Sequence, residues 1–230
     1  MKFGIVTFPG SNCDDDAYVA VTEALGATGV RLWHKDHDLQ GVDVVILPGG
    51  FSYGDYLRAG AIARFSPIMR EVILHANRGA PVLGICNGFQ IACEAHLLPG
   101  ALLRNASLKF VSDMVTLRVE NASTAFTNRY HAGQLLRIPV AHGDGRFTID
   151  ADGLKALEDA GQVVFRYVDG SGRVTDAANP NGALDNIAGI INARGNVLGM
   201  MPHPERAVNP LQGSTDGLAL FESMLAAVAA

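Results

Sequence analysis

Cysteine is scarce in this chain, and the three that occur, Cys13, Cys86 and Cys93, are an odd number in 230 residues. A disulfide framework is therefore not expected; the count fits a reducing compartment, and each thiol has to be judged by its surroundings. Charge is scarce as well, at 18% of residues against ~25% in an ordinary domain. The balance of 18 Lys and Arg against 23 Asp and Glu leaves −5, with no basic cluster. A protein that works by neutralising phosphate backbones is excluded, and nucleic acid is not an expected partner. No apolar run approaches the ~20 residues that span a bilayer. Met1-Lys2-Phe3-Gly4 leads straight into a strand-like segment without a signal-peptide profile. A soluble cytoplasmic protein without membrane contact is expected. Internal repeats and low-complexity linkers are also missing, so residues 1–230 are read as a single domain.

Glycine, by contrast, is abundant, with 26 residues in 230, well above the usual ~7%. Much of the backbone must bend tightly or pack closely. The first segment, Lys2 to Thr7, is β-rich and ends at Pro9-Gly10-Ser11-Asn12. A helix pattern follows from Asp14, whose neighbours Asp15 and Asp16 suit the positive end of a helix dipole, to Leu25 before Gly26. Asp43 to Leu47 is a continuous apolar run of the kind a buried parallel strand needs, stopped by Pro48-Gly49-Gly50. Ser66-Pro67 opens a helix whose apolar face is Ile68, Val72, Ile73 and Ala76, ending at Gly79. Pro81 to Ile85 is the next strand and runs directly into Cys86.

Three β-to-α alternations within the first 95 residues predict an α/β fold: an open, mostly parallel, doubly wound sheet with helices on both faces. Ligands of such sheets bind beyond the carboxyl ends of the strands. Between Ala101 and Asp169 the pattern changes. Strands are expected at Met114 to Val119 and Val163 to Val168, with glycine turns and no long helix, as in an antiparallel extension. Ile187 to Ile191 and Val197 to Met201 flank a turn and predict a hairpin. Ser214-Thr215-Asp216 is a possible cap for a last helix through Val228.

The segment Gly84-Ile85-Cys86-Asn87-Gly88-Phe89-Gln90 has the form of a nucleophile elbow, a sharp strand-to-helix turn that projects the nucleophile into a cleft. Gly84 and Gly88 leave the room that side chains would occupy. A helix N-terminus favours the thiolate, the attacking species. The competing reading of Cys86 is an inert buried thiol. Cys93, two turns further on, reads as core, while Cys13 is a rival nucleophile that lacks flanking glycines.

A cysteine nucleophile needs an acid/base partner. His203 in Met201-Pro202-His203-Pro204-Glu205 lies just past a strand, and Glu205, two residues on, faces the same way in extended structure. Glu205 would then orient the ring and stabilise its protonated form. His142, between Ala141 and Gly143, is the second candidate for the base. His34 and His37 are read as a solvated loop rather than metal ligands, and His75, His96 and His131 as structural. The Asn87 amide and the glycine loop at Pro48-Gly49-Gly50-Phe51 are the natural donors to an oxyanion.

Together, Gly-x-Cys-x-Gly-x-Gln at 84 to 90, His-Pro-Glu at 203 to 205 and Pro-Gly-Gly at 48 to 50 resemble the class I (triad) glutamine amidotransferases. Within them the chain is similar to the glutaminase subunits of the synthase that amidates formylglycinamide ribonucleotide in purine biosynthesis. That narrower likeness rests on Phe8 to Asp14, Pro48 to Gly60, Leu103-Arg104-Asn105, Leu117 to Asn121 and His142 to Phe147. Asp144 stands where the family pattern has glutamate, and Ser112-Asp113-Met114 replaces a more aromatic stretch. The resemblance implies L-glutamine as substrate, a Cys86–His203–Glu205 triad, an oxyanion hole from Gly50 and Asn87, and glutamine contacts from Gln90 and Gly88. It implies no metal and no cofactor in this subunit. The partners it implies are a large synthetase subunit that uses ATP and Mg²⁺, and a small third subunit. No Gly-x-x-x-x-Gly-Lys phosphate loop is present to bind ATP here. Two readings compete: another amidotransferase, lacking the Phe51 to Gly60 pattern, and a cysteine hydrolase or chaperone of related fold, which would not need Gln90 or the His203–Glu205 pair. A binding module without catalysis would need none of these residues.

Overall fold

The computed structural model describes residues 1–229. Its elements in chain order are β1 (Lys2–Thr7), α1 (Asp14–Val19), β2 (Thr28–Trp33), β3 (Val44–Leu47), α2 (Pro67–Asn77), β4 (Val82–Ile85), α3 (Asn87–Glu94), β5 (Ala101–Leu103), β6 (Val111–Val119), β7 (Leu135–His142), β8 (Arg146–Thr148), α4 (Ala151–Asp159), β9 (Val163–Val168), β10 (Ile187–Ile191), β11 (Val197–Met200) and α5 (Leu218–Ala229). Helix α1 continues as a wider π-helical turn through Ala24.

Nine strands form one sheet in the order β2-β1-β3-β4-β11-β10-β9-β6-β7, and β5 pairs with β8 apart from it. The five strands from β2 to β11 are parallel; β10, β9, β6 and β7 follow antiparallel. The sheet is thus the expected α/β arrangement with its antiparallel extension. Right-handed crossovers that turn one way from β1 to β2 and the other way from β3 to β4 place α1 and α2 on opposite faces. Strands β3, β4, β9, β10 and β11 are buried along their whole length, which is why all but β9, interrupted by Arg166, read as unbroken apolar runs.

Five elements depart from the sequence reading, among them β5 and β8, which at three residues each are too short to leave a pattern. Edge strand β2 went unmarked because its buried and exposed residues alternate only loosely. The extension carries a helix after all, α4, whose start is capped by the Asp150 carboxylate accepting from the Gly153 amide at 2.7 Å. Its charged residues and internal glycine conceal the narrow apolar stripe of Leu154 and Leu157. Strand β7, central to the site, likewise has no unbroken apolar run. Two expected caps are otherwise engaged. The Ser66 hydroxyl bonds Tyr53 Oη at 2.8 Å instead of capping α2, and Asp216 accepts from the Arg137 amide at 2.7 Å ahead of α5. Among the described residues no helix is long and apolar enough to cross a membrane.

Candidate active site

Because β1, β3, β4 and β11 are parallel, the loops that leave their carboxyl ends open on one edge of the sheet: Pro9 to Cys13, Pro48 to Asp55, Cys86, and Met201 to Glu205. Strand β7 runs in the same sense as these four. The extension curls back far enough that the Pro139 carbonyl accepts from the His203 amide at 2.8 Å. The turn after β7 therefore closes over the site.

Cys86 sits at φ +51°, ψ −105°, a conformation that a non-glycine residue adopts only when its surroundings impose it. The surroundings do so. The Cys86 amide donates to the Met200 carbonyl at 2.8 Å, and its carbonyl accepts from Phe89 and Gln90 at 3.0 and 3.2 Å. A Cβ on Gly84 would lie 2.7 Å from the Gly88 carbonyl oxygen, and one on Gly88 would overlap the Leu47 carbonyl. These glycines allow α3 to press against the ends of β3 and β4. The elbow is thus steric in origin.

His203 and Glu205 are both 1% exposed, and His203 Nδ1 lies 2.7 Å from Glu205 Oε1. Burial pushes the imidazole's proton affinity down, but the Glu205 carboxylate, helped by the sulfurs of Cys86 and Cys13, outweighs it and holds the pKa well above the usual histidine value. His203 Nε2 is buried without a hydrogen-bond partner among the described residues. Glycine at 49 leaves room for this ring, since a Cβ there would come within 2.7 Å of His203 Cε1.

The structure brings Cys86, Gly50 and Gln90 to the wall of one cavity of about 220 Å³. The Asn87 amide, in the first position of α3, has no intrahelical partner. The Gly50 amide donates to no group among the described residues. Gln90 is held rather than free: Nε2 donates to the Asp144 carbonyl at 2.6 Å, and Oε1 accepts from Asn87 Nδ2 at 2.8 Å. Gly88 faces Leu47, not the cavity lining. A larger cavity of about 620 Å³, near Ala76, Leu157 and Arg194, lies toward the opposite ends of the parallel strands and contains no nucleophile.

The remaining thiols and histidines separate clearly. Cys93 is buried in the core, and burial pushes its thiol far up. Cys13 has ordinary backbone at φ −112°. It accepts from Arg206 Nη2 at 3.1 Å and does not line the cavity, although its sulfur lies with the His203 and Glu205 ligand atoms within 4.8 Å of one another. His142 lines the cavity with Cys86 but is clamped between two asparagines, Nδ1 at 3.2 Å from Asn105 Oδ1 and Nε2 at 3.4 Å from Asn181 Nδ2. Burial, then the neighbouring His203, lowers its pKa to about 4, so it is neutral when His203 is charged. His34 corrects the solvated-loop reading: it is buried and meets Tyr53 Oη at 2.7 Å. Sequence reasoning missed the clamps Asn105 and Asn181. Single asparagines in loops carry no periodic signal.

A strained cysteine on an elbow, a buried histidine–carboxylate pair and free backbone amides around a small cavity define a thiol-dependent acyl-transfer enzyme. The chain belongs to the glutamine amidotransferases: residues 1–222 match the CobB/CobQ-like glutamine amidotransferase domain. Among its relatives are two proteins named phosphoribosylformylglycinamidine synthase subunit PurQ. That of Chlorobaculum tepidum is 61% identical over 226 residues, covering 98% of this chain and 97% of its own. That of Synechocystis sp. is 59% identical over 222 residues, covering 96% and 99%. A chain in the structure of PurLQS from Thermotoga maritima superposes with a TM-score of 0.87 at 45% identity, covering 99% of this chain and 98% of its own. A second Thermotoga maritima protein, described as a glutamine amidotransferase, shares the fold at 15% identity and a TM-score of 0.59, covering 98% of this chain and 96% of its own.

Proposed function

We propose that this chain is the glutaminase subunit of a cytoplasmic phosphoribosylformylglycinamidine synthase, releasing ammonia from L-glutamine for a synthetase partner. The observation that carries this reading is the strained Cys86 elbow beside the buried His203–Glu205 pair. Cys86 Sγ attacks the carboxamide carbon, and the Gly50 and Asn87 amides receive the oxyanion of the tetrahedral intermediate. As the C–N bond breaks, protonated His203 gives its Nε2 proton to the departing amine, leaving a glutamyl thioester and ammonia. His203 then takes a proton from water, whose oxygen attacks the thioester; glutamate leaves and the thiol is restored. Glu205 holds the ring in one tautomer and stabilises the imidazolium throughout. Cys13, unstrained and away from the cavity wall, is not the nucleophile in this reading.

Ammonia is nucleophilic only while unprotonated, so it has to pass directly to the large synthetase subunit, which uses ATP and Mg²⁺ to amidate formylglycinamide ribonucleotide. A small third subunit completes the complex, as the PurLQS relative suggests. Gln90 and Gly88 keep the elbow helix where the glutamine side chain must reach it. The test is Cys86→Ala in the assembled complex. Glutamine-dependent synthesis is expected to disappear while ammonium salts still support it; glutamine hydrolysis at the wild-type rate in this variant would refute the assignment.

A further inference from the structure

The loop from Pro48 to Asp55 carries the oxyanion donor Gly50, and it is pinned through four consecutive amides. Phe51 donates to the Gly10 carbonyl at 2.9 Å, Ser52 to Asn87 Oδ1 at 3.1 Å, Tyr53 to the Pro9 carbonyl at 2.6 Å and Gly54 to the Phe51 carbonyl at 2.8 Å. The Gly50 amide, directly before them, donates to no group among the described residues, so the hold on its neighbours decides where it points. The backbone is also bent hard here. Tyr53, Gly54 and Asp55 take φ values of +55°, +70° and +53° in succession, and at Tyr53 and Asp55 such left-handed backbone persists only where the surroundings impose it. Part of that constraint comes from the Tyr53 side chain, which lies outside the cavity wall. Its hydroxyl is 2.7 Å from His34 Nδ1 and 2.8 Å from Ser66 Oγ, and its ring meets the His34 ring edge-on. Both partners are buried scaffold: the His34 amide donates to the Thr7 carbonyl at 3.1 Å, its carbonyl accepts from Ile68 of α2 at 3.2 Å, and Ser66 immediately precedes α2. A phenol that donates once and accepts once thus ties the loop to the ends of two elements.

We propose that Tyr53 is a positioning residue: its hydroxyl, bridging His34 and Ser66, holds the strained turn at 53–55 so that the Gly50 amide faces the oxyanion formed at Cys86. This rests on the glutaminase reading above and adds a residue that touches neither the substrate nor the nucleophile. An oxyanion donor stabilises charge only if it is in place before the charge develops, and a displacement of about 1 Å is enough to forfeit much of its effect. Gly49 and Gly50 have no side chains to fix their shared peptide locally, so its orientation depends on anchors further along the loop. Without the phenol hydroxyl, the ring and the backbone bonds remain, but the left-handed turn loses the contact that ties it to the scaffold and relaxes, and the Gly50 amide moves with it.

The experiment uses the complex with its synthetase subunits. In Tyr53→Phe, which removes only the hydroxyl, kcat for glutamine is expected to fall about 10- to 100-fold, less than the full loss of an oxyanion donor, with KM little changed. Two reagents for Cys86 separate positioning from general damage. L-Glutamate γ-semialdehyde adds to the thiolate: the S–C bond forms and the carbonyl π pair becomes an oxyanion, so its affinity should weaken by the same factor as kcat. Iodoacetamide alkylates the same sulfur with loss of iodide and forms no oxyanion, so its rate should match that of the wild type. His34→Gln and Ser66→Ala cut the bridge from its other ends and should give the same pattern, and Tyr53→Phe combined with His34→Gln should lose little more than the worse single variant. Ammonium-driven synthesis shows that each variant is folded and assembled. Wild-type kcat in Tyr53→Phe overturns the proposal. So does a fall confined to KM, which makes the hydroxyl a substrate-binding aid, and so does an equal fall in the iodoacetamide rate or a loss of ammonium-driven synthesis, which mark a role in the fold. A wild-type complex that releases no glutamate from glutamine would instead refute the glutaminase reading.

Discussion

Replacing His142 with asparagine should flatten the acid side of the protein's stability curve. In the folded chain the ring donates through Nδ1 to Asn105 and accepts through Nε2 from Asn181, and the second contact requires the neutral form. Its pKa is lowered from 6.5 to about 4. In the unfolded chain histidine titrates at its ordinary value. A depressed histidine pKa means that the unfolded state takes up the proton first, so this stability is present above pH 6.5 and is lost as pH falls toward 4. A difference of about 2.5 pKa units, at 1.36 kcal/mol each, makes the loss about 3 kcal/mol. Urea unfolding of wild-type and His142→Asn chains between pH 4 and pH 8 measures it. The variant is expected to be less stable at pH 8, through lost packing, but the gap should close by about 3 kcal/mol on acidification. Other buried histidines, such as His75, titrate alike in both proteins and cancel in the difference. A gap that is the same at pH 4.5 and pH 7.5 would refute the claim that His142 is held neutral by its setting.

Two other substitutions probe the elbow and the pair behind it. Gly88→Ala sets a methyl group against the Leu47 carbonyl, where neither backbone can give way cheaply; a cost at the upper end of ~1–3 kcal/mol is expected, read as a shift in the urea midpoint together with loss of glutaminase activity. A wild-type midpoint would mean that α3 does not pack this tightly on β3. Glu205→Gln preserves shape but removes the charge that raises His203, so kcat for glutamine should drop about 10²- to 10⁴-fold, the range of general acid–base catalysis, while ammonium-driven synthesis in the complex continues. Unimpaired glutamine turnover would show that the 2.7 Å contact is dispensable.

The elbow and the histidine–carboxylate pair, which the proposed mechanism uses, were legible in the chain because their relations are local. Cys86 follows its strand directly and sits between two glycines, and Glu205 lies two positions from His203, so a short stretch of backbone decides each arrangement. The parallel half of the sheet was legible for a similar reason: strands buried on both faces must be apolar throughout. Strand β2, helix α4 and strand β7 were not, since edge strands and half-exposed elements mix polar and apolar residues. Only the tertiary structure separates the settings of the two thiols, with Cys13 unstrained beside Arg206 and Cys86 strained at the cavity wall. Only it turned His142 from a candidate base into a clamped neutral ring, and set Asp55, Arg104, Lys109 and Asp144 around one opening. Those residues come from three separate loops and the end of β7, and they meet because the antiparallel strands curl β7 back over the carboxyl ends of the parallel ones. Strand curvature and pairing order depend on the packing of the whole sheet, so local pattern carries no trace of them.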